Sequence, residues 1–278
     1  MAESALQTKY LQEMIATFEV TQSLVRQSVT TAADINGSSA IFLVAGSGGA
    51  TAVTRGLNGL IPARADDLTQ NTCTLAEWHD LARKTRFNID MSQGDQRKLM
   101  QDTTMAVINR KIDADIIAAL EGGTQYAGVA SATASLNLVM HAVTILGNAD
   151  VPMDGNITGL ITPGFHAYLM QTKEFASVDY IHNKPFENKL TMFRWAGVNF
   201  IVHPNLTGVG TSTEKCIFFH KNAIGHAMDS SSLKTAVGYD QEQDYSFCRA
   251  STFMGSKLLQ NTGVVIVRHN GAGFAATA

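Results

Sequence analysis

The residues whose types and spacing could support catalysis lie in the last quarter of the chain. Ser231 and Lys234 have the Ser-x-x-Lys spacing in which a lysine deprotonates a serine nucleophile. The elements that accompany this motif are missing, because no Ser-Asp-Asn triplet occurs and Lys234-Thr235 continues with Ala236 in place of glycine. A chance match in a serine-rich loop explains the spacing better, so a cytoplasmic serine hydrolase is only a remote alternative.

Other residues that could form a site are not arranged for it. Gly46-Ser47-Gly48-Gly49 lacks the lysine of a phosphate-binding loop, and the run from Gly208 to Lys215 continues into Cys216 instead of serine or threonine. The eight histidines are scattered, and no His-Glu-x-x-His motif occurs. The other two cysteines, Cys73 and Cys248, are widely spaced, which is typical of reduced, buried thiols. We therefore predict no cofactor, no metal site and no enzymatic activity.

Composition predicts a chain with a substantial core. Of its 278 residues, 45% are hydrophobic and 16% are charged, which is enough for one large domain or two smaller ones. The net charge of -3 argues against a dedicated nucleic-acid-binding module, although a shell around nucleic acid would not need one. The polar start of the chain and the lack of a long apolar run predict no secretory signal and no membrane span, hence a protein kept in a cytoplasm.

A single long helix dominates the middle of the sequence. Alternation over 86–89 predicts a strand, and Ser92 followed by Asp95 predicts the capping box that begins the helix. Gly122-Gly123 is expected to end the helix, which would be roughly 40 Å long. One apolar stripe follows its length: Met105, Ile108, Ile112, Ile116 and Ala119. These features predict a spine, with Lys111 and Asp115 paired on its outer face.

Two projecting segments precede this helix. Residues 6–18 carry an amphipathic helical pattern, and residues 36–89 have the glycine, threonine and alternating character of an extended β hairpin or arm. Neither segment can bury enough apolar surface alone, so other copies of the chain are expected to complete them.

Shorter elements follow the helix. Residues 136–146 predict a helix, and Leu160-Ile161 predicts a strand that leads into a helix over 165–175 capped by Thr162-Pro163. Further strands are predicted at 198–202, 217–219, 237–247 and 264–267. The fold class is therefore α+β.

Several segments resemble the major capsid proteins of tailed bacteriophages with the Hong Kong 97-like fold, and the resemblance covers nearly the whole chain. The segments that carry it are Arg55-Gly56-Leu57, Leu60 to Arg64, Trp78, Lys84 to Phe87, Gly94 to Arg97, Val107 to Asp113, Leu160 to Pro163, Phe219 to Gly225 and Gly263 to Val265. This resemblance implies a protein that assembles as pentamers and hexamers into the icosahedral head shell around phage double-stranded DNA.

The resemblance also implies a domain map. Its parts are an N-arm at 1–35, an extended loop (E-loop) at 36–90, a peripheral domain with the spine helix at 91–130 and 234–278, and an axial domain at 131–233. We expect hinges where the backbone is least restricted: Gly46, Gly48, Gly49, Gly122 and Gly123. Contacts between subunits are expected at Arg55, Arg64, Asp66, Asp67 and Trp78.

Two departures from the family pattern bear on assembly. Some members cross-link through an E-loop lysine, but no lysine lies between Lys9 and Lys84, so we expect a shell held by noncovalent contacts. The chain starts directly with its arm, so we expect a separate scaffolding protein.

The resemblance implies further partners and one alternative. A portal protein, a decoration or cement protein, and packaged DNA bound without sequence specificity would join the shell, with no membrane involved. The expected location is the virion capsid, after assembly in the bacterial host cytoplasm. The nearest alternative is an encapsulin, a bacterial compartment shell of the same fold that encloses a cargo enzyme.

Overall fold

The computed structural model describes residues 23–32, 35–47, 49–64, 67–91, 96–129, 132–173, 192–229 and 234–274. These residues form four α-helices: α1 Arg86–Met91, α2 Gln96–Leu120, α3 Leu136–Asn148 and α4 Pro163–Met170. They also form fourteen strands: β1 Thr30–Thr31, β2 Ile35–Asn36, β3 Ser39–Gly46, β4 Asp67–Thr74, β5 Ala76–Thr85, β6 Gln125–Ala127, β7 Ile157–Ile161, β8 Met192–Trp195, β9 Val198–Val202, β10 Glu214–His220, β11 Ile224–Met228, β12 Lys234–Asp240, β13 Tyr245–Leu258 and β14 Val264–His269.

The chain divides into two compact units that are discontinuous in sequence. The first unit contains the described residues of 77–112 and 229–253, and the second contains those of 24–76, 113–228 and 254–274. No helix in the described part of the chain is long and apolar enough to cross a membrane. The four-part domain map drawn from the resemblance stays a prediction.

A six-stranded sheet in the order β6-β14-β10-β7-β9-β8 organises the second unit. Strand β7 lies between β10 and β9, and all five of its residues are buried, as expected for a central strand covered on both faces. Helices α3 and α4 contribute Val139, Leu146 and Phe165 to the core beside this sheet. At Gly159 an added Cβ would lie 3.0 Å from Cε1 of Phe218, so the close packing here favours glycine.

Most elements predicted after the spine are confirmed. Helix α3 and strands β7, β9, β10 and β14 form where periodicity placed them. The single strand predicted over 237–247 is wrong, because a turn at 241–244 separates β12 from β13, and Asp240 accepts a hydrogen bond from the Glu242 amide at 2.9 Å in this turn. Thr162 caps α4, because its Oγ1 accepts a hydrogen bond from the Phe165 amide at 3.1 Å and Pro163 occupies the first turn. This helix ends at Met170, earlier than predicted.

The spine helix is confirmed, with corrections near its start. Helix α2 has 25 residues and a length of about 37 Å. Ile108, Ile112 and Ile116 are buried along one face, and Met105 and Ala119 beside them are half-buried. The helix ends at Leu120, two residues before the predicted glycine stop, and the predicted capping box lies outside the described residues.

The strand predicted over 86–89 is wrong, because Arg86–Met91 is helical. The Thr85 hydroxyl accepts a hydrogen bond from the Asn88 amide at 3.4 Å, so a local cap begins a helix where alternation predicted a strand. The expected surface pair of Lys111 and Asp115 is also wrong, since the Oδ2 atom of Asp115 is buried.

Candidate assembly surface

The predicted extended hairpin forms in the second unit and has a firmly packed root. Strands β3 and β4 pair from Ser39↔Thr74 to Gly46↔Asp67. Near the root, Ala40, Phe42 and Cys73 are buried in a cluster with Ala227. A Cβ added at Gly225 would lie 2.7 Å from Cζ of Phe42. The Phe42 ring therefore packs directly on the backbone at this position because residue 225 is a glycine.

The opposite face of the hairpin is apolar and open. Ile41, Leu43 and Leu68 have 48%, 66% and 61% of their surface exposed. The cross-strand partner of Leu68 is Ala45, which places it on the same face as Ile41 and Leu43. A strand with apolar residues on both faces is stable in water only when another surface covers the second face.

The loop beyond these strands continues the apolar surface. Two hydrogen bonds close its tip, from the Gly56 amide to the Leu60 carbonyl at 3.1 Å and from the Gly59 amide to the Gly56 carbonyl at 2.8 Å. Gly59 has a φ of 72°, which explains glycine at this turn. With the hairpin face, the exposed loop residues form what we call the arm surface: Ile41, Leu43, Val53, Leu57, Leu60, Ile61 and Leu68.

The predicted charged contact residues border the arm surface. Arg55 and Arg64 are exposed in the loop, and Asp67 is exposed at the start of β4. Asp66 lies outside the described residues. The structure thus places Arg55 and Arg64 in the loop and Asp67 on the strand that follows it, and their role between subunits stays a prediction.

Trp78 lies in the first unit, on β5, and is half-buried. The Nζ atom of Lys111 lies 3.7 Å from the centre of its indole ring, a cation–π contact. Its Nε1 atom is buried and has no hydrogen-bond partner among the described residues. Trp78 therefore packs within its own chain, and its predicted role between subunits stays a prediction.

The predicted hinge glycines occupy different environments. Gly46 pairs with Asp67 at the end of β3, Gly48 lies outside the described residues, and Gly49 has a φ of 73° that favours glycine. Gly122 lies two residues after the end of α2, whereas a Cβ at Gly123 would lie 3.0 Å from Cγ1 of Val264. Close packing therefore explains Gly123, and none of these positions is tested as a hinge.

A buried polar network in the second unit is the arrangement closest to catalytic chemistry. Glu214 accepts hydrogen bonds from the Thr162 hydroxyl and the Gly210 amide, both at 2.6 Å. The Nε2 atom of His269 lies 2.9 Å from Oε2 of Glu214, a close polar contact with poor hydrogen-bond alignment. Burial lowers the pKa of His269, and Glu214 opposes that change.

The cysteine of this network is unsuited to catalysis. Cys216 Sγ lies 4.0 Å from Nδ1 of His269, which resembles the order of a nucleophile, a base and a carboxylate. However, burial raises the pKa of the Cys216 thiol to about 12, and both residues are fully buried. The thiol therefore stays protonated and out of reach of a substrate, so the network ties segments of the fold together. Ser231 lies outside the described residues, and Lys234 begins β12.

The apolar residues of the arm surface were not among the predicted contacts, which were four charged residues and Trp78. The signal was present in Ala40-Ile41-Phe42-Leu43-Val44, an unbroken apolar run inside a segment predicted to project from the fold. Such a run predicts a strand covered on both faces.

Comparison with known proteins gives the family. A family model described as phage capsid protein matches residues 2–270. A chain from Mycobacterium phage Che8 matches with a TM-score of 0.75 and 16% identity, covering 96% of this chain and 98% of that chain. A chain from the capsid of cyanophage P-SCSP1u matches with a TM-score of 0.71 and 13% identity, over 95% and 93% of the two chains. A chain from the capsid of a native GTA particle matches with a TM-score of 0.70 and 14% identity, covering 97% of this chain and 100% of that chain.

The family model carries the identity, since structural matches at such low sequence identity establish only the fold. A search among curated proteins found no match. The family match does not favour the encapsulin alternative. The chain therefore belongs to the phage capsid protein family, and it is a structural protein of Hong Kong 97-like fold, the major capsid protein that forms the head shell of the virion.

Proposed function

We propose that this major capsid protein assembles as pentamers and hexamers, in which the arm surface of one copy packs on the next copy. The observation that supports this most directly is the second face of the β3–β4 hairpin. Its root is fixed by Phe42 over Gly225, while Leu43 and Leu68 on the far face are two-thirds exposed. A projecting strand with this pattern is completed when a neighbouring chain covers it.

The energy available from this contact is large enough to matter. Fully burying one leucine or isoleucine side chain contributes about 1.5–3 kcal/mol. These residues are already partly covered, so covering Ile41, Leu43 and Leu68 would contribute about 1 kcal/mol each at each contact. Because a shell repeats this contact many times, a single substitution should act on every copy.

Electron microscopy with sedimentation of two Leu43 variants tests the proposal. We expect Leu43→Glu to give folded capsomers or single chains without closed shells, because a charge would have to be desolvated in each contact. The matched control Leu43→Met keeps apolar volume and should assemble as the natural chain does. Shells of normal yield and diameter from Leu43→Glu would contradict the proposal, provided that circular dichroism shows the variant folded.

Charged residues on the same loop are proposed to select the neighbour. Arg55, Arg64, Asp66 and Asp67 would form pairs across the contact, with the modest energies of exposed ion pairs. Alanine at both Asp66 and Asp67 should slow capsomer assembly most at low salt, measured by light scattering. An unchanged rate in that variant would remove both aspartates from the contact.

Hinge movements are proposed to let the same chain fit into both pentamers and hexamers. Gly46, Gly48 and Gly49 would serve the arm, and Gly122 and Gly123 would serve the end of the spine. Alanine at these glycines should change shell size or yield in micrographs. If the variant with alanine at all five glycines formed shells of unchanged size and yield, the hinge role would be ruled out.

A scaffolding protein, a portal protein, a decoration or cement protein and packaged DNA are proposed as partners. Co-expression with a candidate scaffold tests the first of these. We expect closed shells of uniform diameter with the scaffold and irregular assemblies without it. Identical uniform shells in both cases would argue against a separate scaffold.

A further inference from the structure

Strand β11 connects two segments of the second unit. On one face, Gly225 lies under Phe42 and Ala227 belongs to the buried cluster at the hairpin root. Successive side chains of a strand point to opposite faces, so His226 between them projects from the other face. Along one edge, β1 pairs in parallel with Gly225 and His226. Strand β11 therefore holds the hairpin root and β1 together.

His226 is fully buried among charged groups. Its Nδ1 atom lies 3.0 Å from the Ser256 hydroxyl, but its Nε2 atom is buried without a hydrogen-bond partner among the described residues. The Oδ2 atom of Asp115 is likewise buried without a hydrogen-bond partner among the described residues. The charges that act on this imidazole are Asp115 and Asp113 on α2 and Arg26 in the turn before β1.

The surroundings of His226 favour the neutral imidazole. Burial lowers its pKa to about 4, Asp115 and Asp113 oppose that change, and Arg26 acts in the same direction as burial. The unfolded or locally opened chain, whose histidine has an ordinary pKa near 6.5, therefore binds a proton more readily. The closed arrangement is favoured fully above about pH 6.5 and loses that advantage as the pH falls toward 4.

The two carboxylates that act on His226 differ in their own partners. Asp113 already accepts hydrogen bonds from the Leu24 amide at 3.1 Å and the Val25 amide at 3.3 Å, and it lies 3.4 Å from Nε2 of His203. Oδ2 of Asp115 has no hydrogen-bond partner among the described residues. The pKa of His226 stays low despite both carboxylates, so burial outweighs their attraction for a proton on the ring.

We propose that β11, with His226 at its centre, is a proton-sensitive latch that holds the hairpin root and β1 at neutral pH and loosens both in acid. The latch consists of a fully buried imidazole on the strand that holds the hairpin root and β1, where a proton on the ring would add a buried charge. The proposal concerns single chains, so it stands or falls independently of how the arm surface packs in a shell.

Hydrogen exchange of the whole chain, followed by mass spectrometry between pH 7 and pH 4, tests the latch. After correction for intrinsic rates, we expect exchange in β1, β3, β4 and β11 to rise steadily as the pH falls, by at most about 300-fold. His226→Gln should lose this rise because glutamine does not titrate. The control His220→Gln should keep it, because His220 pairs with Asp154 instead, at 3.2 Å.

A second variant keeps the test decisive if His226→Gln fails to fold. Asp115→Asn removes the charge that most favours the protonated ring, so the pKa of His226 in the closed arrangement should fall further, and the rise in exchange should continue to lower pH and reach a larger maximum. An unchanged pH response in His226→Gln, or an unchanged maximum in Asp115→Asn, would overturn the proposal. Loosening of the same size in every segment of the chain would also overturn it, because global acid unfolding would then explain the change.

Discussion

Replacing Glu214 with alanine measures how strongly a buried carboxylate ties separate parts of the fold. Three segments donate to or contact this side chain: the cap of α4 through Thr162, the loop before β10 through Gly210, and the end of β14 through His269. Glu214 is 1% exposed and His269 is fully buried, so water cannot replace the lost acceptor without entering the core. A side chain at Gly271 would overlap the Glu214 carboxyl, which shows how tightly it is enclosed.

The loss of folding stability follows from the hydrogen-bond donors that Glu214→Ala leaves without an acceptor. A hydrogen bond to a charged group contributes about 1.5–3 kcal/mol, and leaving a buried donor without an acceptor costs about 1–3 kcal/mol. Because the contacts share one side chain, their losses do not add. We expect Glu214→Ala to lower the free energy of unfolding by about 2–5 kcal/mol. Glu214→Gln keeps the volume and one acceptor oxygen, so it should cost about half as much.

Urea unfolding of unassembled chains, followed by circular dichroism, gives both values. The control Glu77→Ala removes an exposed partner of His79, 3.0 Å away with both side chains about half exposed, and should cost less than about 1 kcal/mol. If Glu214→Ala cost no more than this control, the buried network would not stabilise the fold. If Glu214→Gln cost as much as Glu214→Ala, the second acceptor oxygen and the negative charge, and not the shape of the side chain, would supply the stabilisation.

Three further outcomes are expected. Gly225→Ala should destabilise the hairpin root by about 1–3 kcal/mol and raise hydrogen exchange in β3 and β4, because its Cβ would lie 2.7 Å from the Phe42 ring, and normal exchange there would contradict this packing. The thiols of Cys73, Cys216 and Cys248 should stay unreactive toward a disulfide reagent at pH 8 until urea is added, because all three are buried, and rapid labelling of the native chain would refute this. Denaturing gels of mature particles should show a single monomer band, since no lysine lies between Lys9 and Lys84, whereas a ladder would reveal cross-links.

Local signals predicted most elements correctly. The threonine–proline cap of α4, the glycine stop after α2 and the apolar strands of the second unit depend on short-range chemistry, so the sequence was sufficient. The error at 86–89 came from a competing local signal, because the Thr85 hydroxyl caps a helix where alternating residues indicated a strand.

The candidate assembly surface was predicted only in part. The projecting hairpin and its charged loop followed from composition and resemblance. Its apolar face was not predicted, because the sequence does not reveal which side of Ala40-Ile41-Phe42-Leu43-Val44 the chain itself covers. That depends on Gly225 and Ala227, which lie more than 150 positions away in the sequence.

The sequence by itself determined the family, the α+β class, the long spine and the absence of a recognisable catalytic motif, since these are written in motifs and periodicities along the chain. Only the tertiary structure decided which polar groups are enclosed. Asp115 was expected on the outer face of the helix beside Lys111, yet its Oδ2 is buried and its charge acts on His226. Glu214 and His269 meet although 55 positions separate them. The physical reason is that burial and charge pairing depend on distances between elements, which helical and strand periods do not encode.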